Sequence, residues 1–319
     1  MGTKLVDDNK LVDLFGRTIN YVRISITDRC DFRCVYCMSE EMQFLPRAKI
    51  LTLEELATVG KAFSELGVEK IRLTGGEPLV RQNSIKLIQD LGALETLKEL
   101  TLTTNGSQLR KLAPAIKEAG AKRINISLDS LDPEKFRLLT RTGKLNTVLD
   151  GIDAAIDAGF KNIKINSVIL KNRNEEEVIP LTRFAIDRGL DITFIEEMPL
   201  GLIDDHDRAE AYYSSDEIKR DLESVYSLIS SRETTGGPAK YFQIDREMTK
   251  VGFISPHSHN FCGDCNRVRL TAEGRLLLCL GQEHSVDLRK VLRTWPGDMD
   301  ALKGAIRESM AIKPEGHTF

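Results

Sequence analysis

The first two-thirds of the chain repeatedly alternates a short β-type run with an amphipathic helical stretch, and this series limits the fold more than any other feature. The runs cover residues 21–27, 70–74, 99–103, 122–128, 162–170 and 191–196. Between them, Thr52 followed by Glu55 forms a capping box, and Gly67 closes the helix it opens. Gly120, Gly159 and Gly189 each end a later helical stretch just before a strand. Asn146 is placed to cap the helix leading to Gly159. Successive β/α units call for parallel strands joined by right-handed crossovers. A partial barrel and a doubly wound sheet both satisfy the pattern, and periodicity does not choose between them.

All six cysteines fall into two short groups: Cys30, Cys34 and Cys37, then Cys262, Cys265 and Cys279. Disulfides are a poor explanation, because so long a chain with no export signal has little need of them. Core thiols would be scattered rather than grouped on either side of a long cysteine-free interval. Grouped cysteines favour metal or redox chemistry. Structural zinc takes four Cys or His ligands, whereas each group supplies three. Three soft thiolates suit an iron–sulfur cubane with one iron left open, although spacing alone does not prove it.

The polar signals fall beside the strands. Thr74-Gly75-Gly76-Glu77-Pro78 follows the second run, Thr103-Thr104-Asn105-Gly106 the third, and Ser127-Leu128-Asp129-Ser130 the fourth. The first cysteine group follows the first run. Parallel α/β folds carry ligand chemistry at the carboxyl ends of their strands, so all four segments could face one pocket. Neither a Walker nor a Rossmann glycine motif is present, so a bound triphosphate would depend on side chains. Arginine suits that task, because its planar fork binds phosphate through paired, charge-assisted bonds. Beyond residue 200 the pattern changes to a polar connector at 201–208, a helical stretch near 216–225, and β-like runs at 240–244, 250–254, 267–271 and 275–280.

Composition sets the class. The 319 residues are 41% apolar and 29% charged, with a formal net charge of −3, as for an ordinary globular protein. That charge gives no reason to expect nucleic-acid or anionic-membrane binding. No apolar run approaches the ~20 residues that span a bilayer, and the polar opening resembles neither a signal peptide nor an organellar presequence. The expectation is a cytoplasmic protein.

Cys30-Asp-Phe-Arg-Cys34-Val-Tyr-Cys37, an aromatic residue preceding the third cysteine, resembles the signature of radical S-adenosylmethionine (SAM) enzymes. The later Thr-Gly-Gly-Glu-Pro resembles that family's site for the methionine amino group. Cys262-Gly-Asp-Cys265-Asn-Arg267-Val-Arg269, with Cys279 beyond it, is similar to the GTP 3′,8-cyclases of molybdenum-cofactor biosynthesis, as is the segment from Arg23 to Cys30. The resemblance implies an α/β fold, a partial (β/α)6 TIM-like barrel over residues 1–200, with a smaller auxiliary-cluster and GTP-binding module over 201–319.

Carried over residue by residue, the resemblance assigns Cys30, Cys34 and Cys37 to a [4Fe–4S] cluster that cleaves SAM. Tyr36, Gly76, Ser127 and Met198 match SAM-contact positions. Cys262, Cys265 and Cys279 match the ligands of a second [4Fe–4S] cluster facing the guanine. Arg23, Arg72, Thr103, Lys164, Arg267 and Arg269 match positions that contact GTP. The implied chemistry is reductive cleavage of SAM to a 5′-deoxyadenosyl radical, removal of hydrogen from C3′ of GTP, and attack of C3′ on C8. The implied partners are GTP, an electron donor, a downstream cyclic pyranopterin monophosphate synthase and a second copy of the chain in a homodimer.

Two departures stand out. Thr193 occupies a position where the family commonly has arginine, leaving the pocket one cation short. The sequence closes on Gly-His-Thr-Phe319 where the family usually ends in Gly-Gly, so poor coupling of SAM cleavage to GTP conversion is expected. Two rival readings are a peptide-modifying radical SAM enzyme, which typically uses more auxiliary cysteines, and a noncatalytic zinc-binding interaction protein.

Overall fold

The structure is a computed structural model that describes residues 10–199, 201, 203, 205–280 and 284–317. The elements follow in chain order. β1 (Tyr21–Ser25) leads to α1 (Leu53–Glu65) and β2 (Lys70–Thr74), then α2 (Ser84–Gly92), β3 (Glu99–Thr104), α3 (Leu109–Glu118) and β4 (Arg123–Ser127). Two helices, α4 (Pro133–Thr140) and α5 (Leu145–Asp157), precede β5 (Ile163–Ile169). After α6 (Val178–Asp187) and β6 (Asp191–Glu196) come α7 (Ser215–Glu223), β7 (Leu228–Ser230), β8 (Lys240–Ile244) and β9 (Lys250–Ile254). The remaining elements are β10 (Arg267–Leu270), β11 (Arg275–Leu277), β12 (Ser285–Asp287), α8 (Leu288–Thr294) and α9 (Met299–Ser309).

Local chemistry sets several boundaries. Thr52 accepts from the Glu55 N–H at 3.1 Å while the Glu55 carboxylate accepts from the Thr52 N–H at 2.7 Å, completing the capping box of α1. Gly67 and Gly120 adopt φ of +80° and +96°, which a side chain would oppose. Asn146 is not a cap. α5 begins two residues earlier than that cap would set it, with Lys144 at its N-cap and no side-chain bond there. The reason is packing: Leu145 belongs to the buried stripe of Val148, Ile152 and Ala155, so its burial draws it into the helix.

All the strands form one ladder, ordered β12-β11-β10-β1-β2-β3-β4-β5-β6-β9-β8-β7. From β10 through β9 every pairing is parallel. Strands beyond residue 201 therefore extend the central series at both flanks: β9 pairs with β6, and β10 pairs with β1. The fold is mixed α/β, and among the described residues the ladder runs open from β12 to β7.

The two faces of this sheet differ chemically. Val22, Ile24, Ile71, Leu73, Leu100, Leu102, Ile124, Ile126, Ile163, Ile165, Ile192 and Phe194 are no more than 4% exposed. They join the helices' apolar residues in one core. The alternate residues are Tyr21 and Arg23, Lys70 and Arg72, Thr101 and Thr103, Arg123 and Asn125, Lys164 and Asn166, with Thr193 on β6. Central parallel strands usually carry apolar side chains on both faces. Here one face is polar and still largely enclosed, the mark of a ligand-binding surface.

Candidate active site

The first cysteine group lies on the loop after β1. Its backbone is tied to the end of α4: Arg33 and Val35 N–H groups donate to the carbonyls of Thr140 (3.0 Å) and Leu139 (2.9 Å). Thr142 Oγ1 donates to the Asp31 carbonyl at 2.7 Å. The Arg141 guanidinium donates to the carbonyls of Arg33 and Met38 at 3.4 and 3.2 Å, bracketing Cys34 and Cys37.

The Gly-Gly turn crosses close above this loop. A Cβ on Gly76 would stand 2.3 Å from the Arg29 carbonyl oxygen, and one on Gly75 would stand 2.8 Å from that of Thr27. Only glycine permits that approach. Glu77 is fully buried and accepts from the Leu79 N–H (2.9 Å), Thr104 Oγ1 (2.9 Å) and the Asn105 N–H (2.6 Å). Burial raises its carboxyl to about 7 despite these three donors. Asn105 Nδ2 in turn donates to Asp31 Oδ1 at 2.7 Å and lies 3.8 Å from Cys30 Sγ. Tyr36 donates its hydroxyl to Asp129 at 2.7 Å. Asp129 is buried, which raises its carboxyl to about 6.

The second group borders β10, the neighbour of β1 in the sheet. Cys262 and Cys265 flank a single helical turn, with the Cys265 N–H donating to the Cys262 carbonyl at 3.1 Å, and Cys279 follows β11. Arg17 donates to the carbonyls of Cys262 (2.8 Å), Pro314 (2.7 Å) and Glu315 (2.5 Å). Lys313 is buried and donates to the Leu278 carbonyl at 2.8 Å, with Cys265 Sγ 3.6 Å away.

The thiols differ between groups. Burial first, then neighbouring acids and thiols, pushes Cys30 up to about 12 and Cys34 well above its ordinary value. Burial and Asp129 raise Cys37 as well. Burial also works against the Cys265 thiolate, but Arg267 and Lys313 outweigh it and lower that thiol. Among the described residues no three His, Cys, Asp or Glu side chains converge on a single metal ion. A cubane differs in need, since each thiolate binds a different iron, and a cationic cluster core would supply the charge that lets buried thiols ionise. Two soft three-thiol sets without carboxylate or imidazole ligands fit that group.

A cleft opens against the second group. Arg23, Arg72, Lys164, Arg267, Arg269 and Met198 line it together with Cys262, Cys265 and Cys279. Strand register accounts for the cations: Arg269, Arg23 and Arg72 stand side by side on β10, β1 and β2, and Tyr21 pairs with Arg267. Among the described residues none of these four arginines is ion-paired to a carboxylate, and the Nε atoms of Arg23 and Arg72 are buried without partners. Burial, with Arg72 and Arg267 adding to it, lowers Arg23 to about 10. Burial followed by Arg23 and Arg267 holds Arg269 well below its ordinary value. Lys164 donates to the Tyr241 hydroxyl at 2.8 Å and is lowered to about 7 by burial, then by Arg72 and Arg123. So much uncompensated positive charge facing one cavity calls for an anion.

Thr103 and Thr193 lie on the same polar face with their hydroxyls buried and unpartnered among the described residues, but Thr103 does not line the cleft. Nor do Tyr36, Gly76 and Ser127. Tyr36 and Gly76 belong to the first cysteine loop and its overlying turn, and Ser127 ends β4. Glu77, Asn105 and Asp129 sit inside the segments 74–78, 103–106 and 127–130, yet nothing in those segments alone marks them for the contacts they make. Arg17 and Lys313 carried no sequence signal, because their partners are carbonyls and a thiol far along the chain.

Residues 24–185 match the family model for the radical SAM superfamily, and residues 190–319 match that for molybdenum cofactor synthesis C. The chain is 60% identical to the GTP 3′,8-cyclase of Pseudomonas entomophila over 310 residues, covering 97% of this chain and 93% of that protein. It is 56% identical to the GTP 3′,8-cyclase of Saccharophagus degradans over 314 residues, covering 98% and 95%. Among solved structures, Streptococcus suis SuiB bound to a precursor peptide superposes with a TM-score of 0.65 at 15% identity, covering 94% of this chain and 72% of that one. SuiB bound to S-adenosylmethionine gives 0.63, at 15% identity and coverages of 91% and 68%. At such identity the likeness concerns the fold alone, whereas the sequence relatives and both family models agree over nearly the whole length: this chain belongs to the radical SAM superfamily and, within it, to the GTP 3′,8-cyclase family.

Proposed function

We propose that the protein converts GTP to 3′,8-cyclo-7,8-dihydroguanosine triphosphate, the first step of molybdenum-cofactor biosynthesis. The observation that carries this reading is the cleft in which five cationic side chains face the same space as the second cysteine group. A triphosphate is the anion that such a cluster suits, and a purine beside the cysteines completes the nucleotide. Cys30, Cys34 and Cys37 would hold the cluster that binds SAM, and Cys262, Cys265 and Cys279 a second cluster facing the base. When bound, clusters and SAM supply one-electron cleavage and a carbon radical.

The chain's own residues bind, orient and exclude. Arg23, Arg72, Lys164, Arg267 and Arg269 hold the nucleotide, with Thr103 on the same sheet face. Tyr36, Gly76, Ser127 and Met198 hold SAM above the carboxyl ends of the strands. Orientation matters because a misdirected radical would attack the protein instead. Residues 1–200 serve the radical chemistry and 201–319 the base. No helix of the described residues is long and apolar enough to cross a membrane. We place the enzyme in the cytoplasm, drawing electrons from a donor protein and passing product to cyclic pyranopterin monophosphate synthase.

The test is anaerobic reconstitution with iron and sulfide, then incubation with SAM, GTP and a chemical reductant. Deoxyadenosine, methionine and the cyclised nucleotide should form together. Deoxyadenosine formation with GTP left intact would overturn the substrate, and a colourless protein purified with zinc would overturn the chemistry.

A further inference from the structure

Asn125, at the middle of β4, stands out among the groups that no role described so far absorbs. It is 0% exposed, and among the described residues neither its Nδ2 nor its Oδ1 has a hydrogen-bond partner. Its register neighbours are Thr103 on β3 and Lys164 on β5, and it lines the same cleft as the arginines. A buried amide left wholly unpaired is costly, since each unmade bond forfeits its hydration. Here both halves of one side chain are unmade, toward a cavity.

The chemistry of the missing partner follows from the amide. It presents donors on nitrogen and an acceptor on oxygen, so a partner satisfying both must accept and donate. Phosphate oxygens only accept, and an anion beside Oδ1 would be repelled. A guanine edge offers both functions, but the cysteines proposed to face the base lie beside β10, and the order β10-β1-β2-β3-β4 sets β4 four strands away. A ribose hydroxyl both donates and accepts, and the sugar necessarily lies between base and phosphates. We infer that Asn125 is a specificity-determining residue that hydrogen-bonds a hydroxyl of the substrate ribose, aligning the sugar whose C3′ loses hydrogen. The inference rests on GTP being the substrate.

The experiment uses the full chain, reconstituted anaerobically and kept without reductant so that no turnover occurs. GTP, 2′-deoxyGTP and 3′-deoxyGTP are titrated against wild type, Asn125→Leu and Asn125→Ala, with iron content and melting temperature recorded. Wild type should bind at least one deoxynucleotide roughly tenfold more weakly than GTP, the usual effect of one lost hydrogen bond in a buried site. In either variant GTP affinity should fall by about the same factor, while the preference for GTP over that deoxynucleotide collapses to within about threefold. Equal weakening of all three nucleotides, unchanged GTP affinity, or no preference in wild type would each overturn the assignment. Loss of iron and of cooperative melting in both variants would also overturn it, by making Asn125 a structural residue. Wild type that binds SAM but no GTP would instead overturn the substrate on which the inference rests.

Discussion

Arg269, Arg23 and Arg72 share one row of the sheet without a carboxylate among the described residues to divide their charge. Removing one such donor from a charged ligand costs ~1.5–3 kcal/mol, or roughly tenfold to a hundredfold in affinity. Arg269→Ala should therefore weaken GTP binding by that factor in anaerobic titration while the iron content stays at the wild-type level. Lys164 has a second consequence. Its ammonium is lowered to about 7 by burial, Arg72 and Arg123, against the smaller opposing pull of Tyr21 and Asp191. The unfolded chain, with an ordinary lysine, binds more protons between about pH 7 and 10.5, so this group adds stability as pH rises through that window and removes it as pH falls toward 7. An anion in the cleft reverses the bias. GTP binding near pH 8 should take up a proton, visible as a calorimetric heat that depends on buffer ionisation, and Lys164→Met should abolish the uptake.

Elements hold what residues present. The first cysteine loop has little regular structure of its own and is shaped by the end of α4, where Arg141 sits at φ +59°, ψ −47°. That conformation disfavours a side chain by ~1–3 kcal/mol, a cost tolerated where surrounding contacts over-determine the backbone. Arg141→Ala keeps the strain and loses the guanidinium bonds to Arg33 and Met38. Arg141→Gly loses the bonds but relaxes the backbone. Both should retain less iron at the first site, and the glycine variant should melt at the higher temperature of the two. Full iron retention in both would show that the main-chain bonds to Leu139 and Thr140 suffice. The strands themselves were legible, because alternation marks them: 70–74 and 191–196 agree with β2 and β6 residue for residue. β7, β12, α8 and α9 were not expected. β7 and β12 are three residues each, too short for any period to show.

At the scale of the molecule, the two cysteine groups are fastened separately, and only the second lines the cleft. The first depends on α4 and the Gly-Gly turn; the second depends on Arg17 and Lys313. Cluster loading should therefore be independent. Cys34→Ala should lose about half the iron and all SAM cleavage. Cys265→Ala should also lose about half the iron yet still cleave SAM, without converting GTP. Iron and sulfide analysis with deoxyadenosine measurement tests this, and loss of all iron from either folded variant would contradict it.

Sequence alone determined the β/α series, the grouping of the six thiols and the family, because period, spacing and residue type are local properties that survive without a fold. It also showed arginines on strands, where alternation permits an inward face. Only the tertiary structure decided that β9 and β10 close on β6 and β1 from opposite flanks, since strand pairing across so many residues has no local signature. That pairing puts Arg269 beside Arg23. It also decided which buried polar groups lack partners: Glu77 meets three donors, whereas Asn125 meets none among the described residues, and both read in sequence as ordinary polar residues near a strand. Whether a buried polar atom is satisfied depends on what distant segments bring to it.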